Sequence, residues 1–152
     1  AAPIELYDHP VNQFVAGFIG SPPMNFFEGT IEAQGESCVF HEGTFTVQPH
    51  EEHVTALRPY AGKKVVFGVR PEDMTDTVYA RPSDAPAQTI KARVEVMEPM
   101  GSETYLYLNT GHHDFIARVE SHVSASVNQE VNLALNMKRT HFFALPEGDA
   151  IV

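Results

Sequence analysis

The chain has 152 residues, 43% hydrophobic and 20% charged, a balance that suits a folded globular protein and excludes a disordered one. Ten Lys plus Arg against twenty Asp plus Glu give a formal net charge of −10, which excludes a field that draws in nucleic acid or anionic lipid. A single cysteine, Cys38, excludes an internal disulfide and fits a reducing compartment, and no run nears the roughly 20 apolar residues that span a bilayer. The start, Ala-Ala-Pro, has neither a methionine nor a secretory leader and reads as a chain cut from something larger.

In chain order, Pro3 to Tyr7 predicts a short helix, which His9-Pro10 interrupts. Pro10 starts a second helix with Phe14, Val15, Phe18 and Ile19 on one face; Gly20 caps it and Pro22-Pro23 stops it. From Asn25 the period falls to two. Phe27, Ile31 and Ala33 mark a half-buried strand, a turn follows at residues 34–37, and strands are expected at 38–40 and 44–47. Residues 50–58 fit one short helix carrying Val54 and Leu57, and 63–70 a strand with Val65, Phe67 and Val69 on one side. Ala80 to Ala87, with two prolines, is the expected internal linker. Beyond it, strands are expected at Ile90–Val96, Tyr105–Leu108, Phe115–Val119, Val131–Leu135 and His141–Phe143, with breaks at residues 99–102 and a hairpin at Asn109-Thr110-Gly111. Many short strands with little helix argue for small antiparallel barrels.

Four blocks carry a family resemblance across nearly the whole chain. They are the N-terminal run through Phe14-Val15-Ala16-Gly17-Phe18-Ile19-Gly20-Ser21-Pro22 to Met24-Asn25-Phe26; Gly68-Val69-Arg70-Pro71-Glu72-Asp73; Val94 to Glu103, ending Gly101-Ser102-Glu103; and Phe115 to Val119 with His141-Phe142-Phe143. In this order they resemble the C-terminal regulatory (TOBE, OB-like) domain of sugar- or glycerol-3-phosphate-type ABC importer ATPase subunits. The resemblance implies a mainly β fold, a pair of OB-like antiparallel barrels preceded by two short helices. Residues 1–22 would be the helical tail of an absent ATPase domain, and 23–152 the regulatory domain. It further implies a cognate ATPase domain, a second copy of the subunit, importer membrane subunits and a regulatory protein as partners, at the cytoplasmic face of the inner membrane. No nucleic acid, cofactor or direct membrane insertion is implied. The chain has no G-x-x-x-x-G-K-[ST] loop and no LSGGQ-type signature, so ATP hydrolysis is not expected of it.

Candidate sites were weighed on their chemistry. Phe14, Val15, Phe18 and Ile19 form an apolar face suited to pack on the ATPase domain. Arg70 and Glu72 admit two readings: a corner pairing Arg70 with a carboxylate and presenting Glu72 to a neighbour, or a proline-fixed turn whose arginine caps local carbonyls. The turn is favoured, since ion pairs at a rim seldom do more than position a loop. Gly101, Ser102 and Glu103 could form an anion-binding nest, the basis of an alternative function as a small-molecule or oxyanion-binding module. Glu98 and Glu103 flank that loop, which favours a plain turn. Adjacent His112 and His113 in His112-His113-Asp114 would point to opposite faces of a strand, and His50 and His53, at helix-like spacing, could chelate only weakly without cysteines or a second histidine pair at ligand spacing, so no metal site is expected. No catalytic constellation is visible.

Overall fold

The computed structural model describes residues 3–20, 22–76, 88–120 and 125–152. Ser21, His122 and the expected linker at 80–87 lie outside the described residues. Helices α1 (Pro3–Asp8) and α2 (Gln13–Phe18) lead into β1 (Asn25–Gln34), β2 (Ser37–His41), β3 (Thr46–Val47), α3 (Glu51–Leu57) and β4 (Lys64–Val69). After a 3-10 turn at Pro71–Asp73 come β5 (Met74–Asp76), β6 (Thr89–Pro99), β7 (Glu103–Asn109), β8 (Asp114–Glu120) and β9 (Glu130–Leu135). A second 3-10 turn, Met137–Arg139, precedes β10 (His141–Ala144).

The strands form two five-stranded antiparallel sheets, ordered β10-β4-β1-β2-β3 and β5-β9-β6-β7-β8. The second curls until β8 returns against β5, a nearly closed barrel. The fold is mainly β and OB-like with two short helices at its head, as the sequence leads one to expect. One continuous core runs through both sheets, from Phe27, Phe40 and Phe67 to Leu106, Phe115 and Leu133. Phe27 meets Phe115 edge-on at 5.3 Å across the junction.

Two devices join the sheets. Asn25 is 8% exposed and uses its side-chain amide as a one-residue strand, donating to Ile116 O at 2.7 Å and accepting from Ile116 N at 2.9 Å. Glu42, just past β2, holds the β7–β8 loop through Thr110 Oγ1 at 2.7 Å and His113 Nδ1 at 2.6 Å.

The structure departs from the expected strands in several places. β4 is buried along both faces from Val65 to Val69, because Ala16 of α2, Met24 and Phe143 form a second apolar cluster over Val66. The ladder slips between Val94 and Val96, and this bulge reverses the alternation, so Val96 lies 52% exposed instead of inside. β6 continues to Pro99, and the break falls one residue later, at a turn where Met100 N donates to Glu103 O at 2.7 Å. β5 has no counterpart among the expected strands, and Ala33 is exposed.

Candidate interface site

The N-terminal helices are built onto the first sheet rather than hung from it. Asn12 caps α2 by accepting from Val15 N at 2.8 Å. The last loop of the chain clasps the helix: Gln13 N donates to Gly148 O at 2.8 Å and Ala150 N to Val11 O at 3.0 Å. The inward face of α2 is Ala16, fully buried, and its small side chain lets the helix axis approach the sheet.

Arg70 fastens the assembly from below. It is 2% exposed, and donates from Nη1 to Ile19 O at 2.7 Å and from Nη2 to Tyr7 O at 3.0 Å. Its guanidinium lies 3.8 Å from the Tyr7 ring centroid. These carbonyls are 51 and 63 residues away in sequence, so the arginine caps helix ends at long range, not the local carbonyls of its own turn. A Cβ at residue 20 would stand 2.9 Å from Arg70 Nη1, and Gly20 also has a φ of +115°, so glycine is needed twice over. Burial pulls the guanidinium below its usual value, with Asp73 acting in the opposite sense.

The expected apolar face of α2 divides. Phe14 and Phe18 are 79% and 75% exposed and stack on each other at 6.2 Å. Val15 and Ile19 are half-buried. Beside the exposed pair runs an open groove of about 530 Å³ floored by Phe26 and Gly17 and walled by Pro146 and Glu147. The groove is largely apolar, and with the stacked rings it forms an exposed apolar patch.

The remaining candidates lie elsewhere. Glu72 and Glu103 come together in a cleft of about 270 Å³ with Asp76, Glu120 and Arg118, where Glu103 Oε2 pairs with Arg118 Nε at 3.0 Å. Arg70 points away from this cleft, toward the helices. Gly101, with φ of +93°, and Ser102 sit exposed at the β6–β7 hairpin tip, where a Cβ on Gly101 would meet nothing. His113 turns to Glu42 while exposed His112 sits against Gly43, so the histidine pair does not converge. His50 caps α3, accepting from Glu52 N at 3.2 Å, with the His53 ring 6.0 Å away. Among the described residues no group of three or more His, Cys, Asp or Glu could hold a metal, and no helix is long and apolar enough to cross a membrane. Burial raises the Cys38 thiol, which makes it a poor nucleophile.

Sequence reasoning missed Tyr7, Ala16, Phe26, Asp73, Arg139 and the Glu42–His113 pair. Tyr7, Ala16, Phe26 and Asp73 stand inside the quoted blocks; Arg139 and the Glu42–His113 pair carry no local signal.

Fold and site define an OB-type module that clamps its own helical lead-in and offers an apolar surface beside it. Residues 20–74 match the MalK OB fold domain and residues 67–143 the TOBE domain, and the chain belongs to this TOBE family. It is similar to the trehalose/maltose import ATP-binding protein MalK of Thermococcus litoralis, 37% identical over 99% of this chain and 40% of the relative. The multiple sugar-binding transport ATP-binding protein MsmK of Streptococcus mutans is 39% identical over 93% of this chain and 37% of its own length. The oligosaccharides import ATP-binding protein MsmX of Bacillus subtilis is 37% identical over 93% and 38%. The chain thus spans about two-fifths of the length of the curated relatives it matches. Among solved structures, the cytoplasmic molybdate-binding protein ModG shares the fold at a TM-score of 0.56 and 16% identity, over 78% of this chain and 94% of that one.

Proposed function

We propose that this chain is a non-catalytic regulatory and dimer-bracing domain of the ATP-binding subunit of an ABC importer for sugars or polyol phosphates. It acts through protein contacts at the cytoplasmic face of the membrane, with the ATPase domain, a second subunit, the membrane subunits and a regulatory protein as partners. The observation that carries the reading is the Phe14–Phe18 pair: two phenylalanines held out to solvent on a helix that Arg70 and the last loop fix in place. An apolar surface so rigidly presented is pre-organised for a protein partner. The relatives' additional length, in proteins named as ATP-binding, supports the ATPase domain as that partner.

The alternative, oxyanion binding at Gly101-Ser102, draws support only from a neighbour of the same fold. The hairpin tip is open, and the adjoining Glu103 is already paired with Arg118.

The test is titration of the chain with a separately produced ATP-binding domain of a close relative, then with ATP, maltose, glycerol-3-phosphate and molybdate. Binding of the domain is expected, lost in Phe14→Ser/Phe18→Ser with no change in melting temperature. Silence from the domain refutes the docking role. Saturable heat from molybdate that Ser102→Ala abolishes transfers the function to the hairpin tip.

A further inference from the structure

Asp73 occupies the end of the 3-10 turn after β4, with its side chain 8% exposed. Its Oδ1 accepts from Arg139 Nε at 3.0 Å, while Oδ2 is buried with no hydrogen-bond partner. The same guanidinium extends Nη2 to Asp8 Oδ1 on α1, 3.7 Å away. One arginine therefore spans the turn and the first helix, close to where Arg70 grips the Tyr7 carbonyl. The charged groups around Asp73 are Arg139 from the 137–139 turn, Arg70 from the end of β4, Glu72 beside it, and Asp8 beyond Arg139. His141 of β10, facing Arg70 with His53 and His9 in reach, is held near 4 by burial and stays neutral through the range that matters.

A carboxylate oxygen without a donor, shut away from water, favours the protonated acid. We propose that Asp73, Arg139 and Asp8 form a proton-sensitive tether, in which protonation of Asp73 frees the Arg139 guanidinium and loosens α1 from the barrel. Burial raises Asp73 to about 6, outweighing the attraction of Arg139. Near neutral pH the ionised carboxylate braces Arg139. Below about 6 the neutral acid offers Arg139 only an uncharged oxygen, and its remaining ion pair is with Asp8, itself 45% exposed, a surface pair that holds weakly. Local and global effects then have opposite sign: protonation relieves a buried charge and favours the folded barrel, yet weakens one of the two anchors of its first helix, the other being Arg70 on Tyr7. The tether does not depend on what docks at Phe14 and Phe18.

The test is NMR of the intact chain from pH 5 to 7.5, following the Arg139 Nε–H resonance and the exchange protection of the His9 amide, which donates to Glu5 O at 2.7 Å. Both are expected to share one midpoint near 6, with His9 protection falling about tenfold on the acid side, the scale of one hydrogen bond to a charged group. Asp73→Asn removes the midpoint and leaves His9 weakly protected at pH 7.5. Arg139→Gln, which keeps the acid, moves the Asp73 carboxyl midpoint upward and uncouples it from His9. A flat Arg139 resonance, a midpoint that survives Asp73→Asn, or titration of Asp73 without a change at His9 each overturns the proposal.

Discussion

Replacing Glu42 by glutamine tests how far one buried carboxylate locks the two sheets together. The side chain has no exposed surface. It accepts from Thr44 N at 2.9 Å, Thr110 Oγ1 at 2.7 Å, His113 Nδ1 at 2.6 Å and the Thr44 hydroxyl. His113 Nε2 meanwhile accepts from Glu28 N at 3.2 Å, which places the imidazole proton on Nδ1. Glutamine keeps one acceptor oxygen but turns an NH2 group toward Thr110 or His113, setting donor against donor. A buried donor left without an acceptor costs about 1–3 kcal/mol. His113 is 24% exposed, so water recovers part of this. The expected loss is about 2–3 kcal/mol by urea denaturation at pH 7, or roughly 5–10 °C in melting temperature. A cycle with His113→Ala should show coupling above about 1 kcal/mol. Burial works to raise the Glu42 pKa, but the bonds from Thr44, His113 and Thr110 outweigh it and hold the carboxyl below its ordinary value. Its contribution is therefore complete above the unfolded value of 4.5 and lost as pH falls through the lower folded value, a limb that Glu42→Gln should flatten. A loss under about 0.5 kcal/mol, or strict additivity with His113→Ala, refutes the lock.

Gly29→Ala places a Cβ 2.3 Å from His41 O and 2.5 Å from the Phe40 ring, so β1 must leave its register with β2; a loss of about 3 kcal/mol or more is expected, and a melting temperature within 2 °C of the parent, about 0.5–1 kcal/mol, contradicts it. Arg70→Lys keeps the charge but cannot reach Ile19 O and Tyr7 O from two nitrogens while stacking on Tyr7, and should cost about 2–4 kcal/mol in chemical denaturation and expose α1 to proteolysis. His141 has its folded pKa lowered from 6.5 to about 4, so its contribution is present above 6.5 and is lost as pH falls toward 4, to a ceiling of about 3 kcal/mol. Asp73, raised from 3.8 to about 6, acts oppositely by favouring the folded state as pH drops. His141→Gln should therefore lose less stability than the parent between pH 7 and pH 5 in urea titrations, with His53, its pKa also lowered by burial, unchanged in both; an unchanged pH profile rules out the assignment.

Strands buried on one face were legible because period-two alternation records one-sided burial: Phe115, Ala117 and Val119 in β8 and Val131, Leu133 and Leu135 in β9 lie inside as read. The reading failed where a second cover or a local slip broke that rule, at Val66 under α2 and at Val96 beyond the bulge. β5 spans only three residues, too few to show a period. In the candidate site, Phe14 and Phe18 were visible as apolar residues, but Ala16, which makes the inward contact, carries the weakest hydrophobic signal of the helix. Asn25 and Arg70 stood in recognisable blocks, yet what they do depends on partners 91, 51 and 63 residues away, and no local pattern encodes such contacts.

β10 completes the first sheet, although all of the second sheet precedes it in the chain. Phe142, its buried ring 5.0 Å from Phe67 and 5.8 Å from Phe40, packs into the core face of a sheet whose other strands emerge from the ribosome long before it. During synthesis the first sheet thus waits with β4 unpaired on one edge while the second is made. The unit recognised at residues 20–74 is accordingly not an excisable domain: cutting after it removes its own last strand. Folding of this module is a closing act, in which the segment after β9 returns to complete the first sheet and, through Gly148 and Ala150, the clasp around α2.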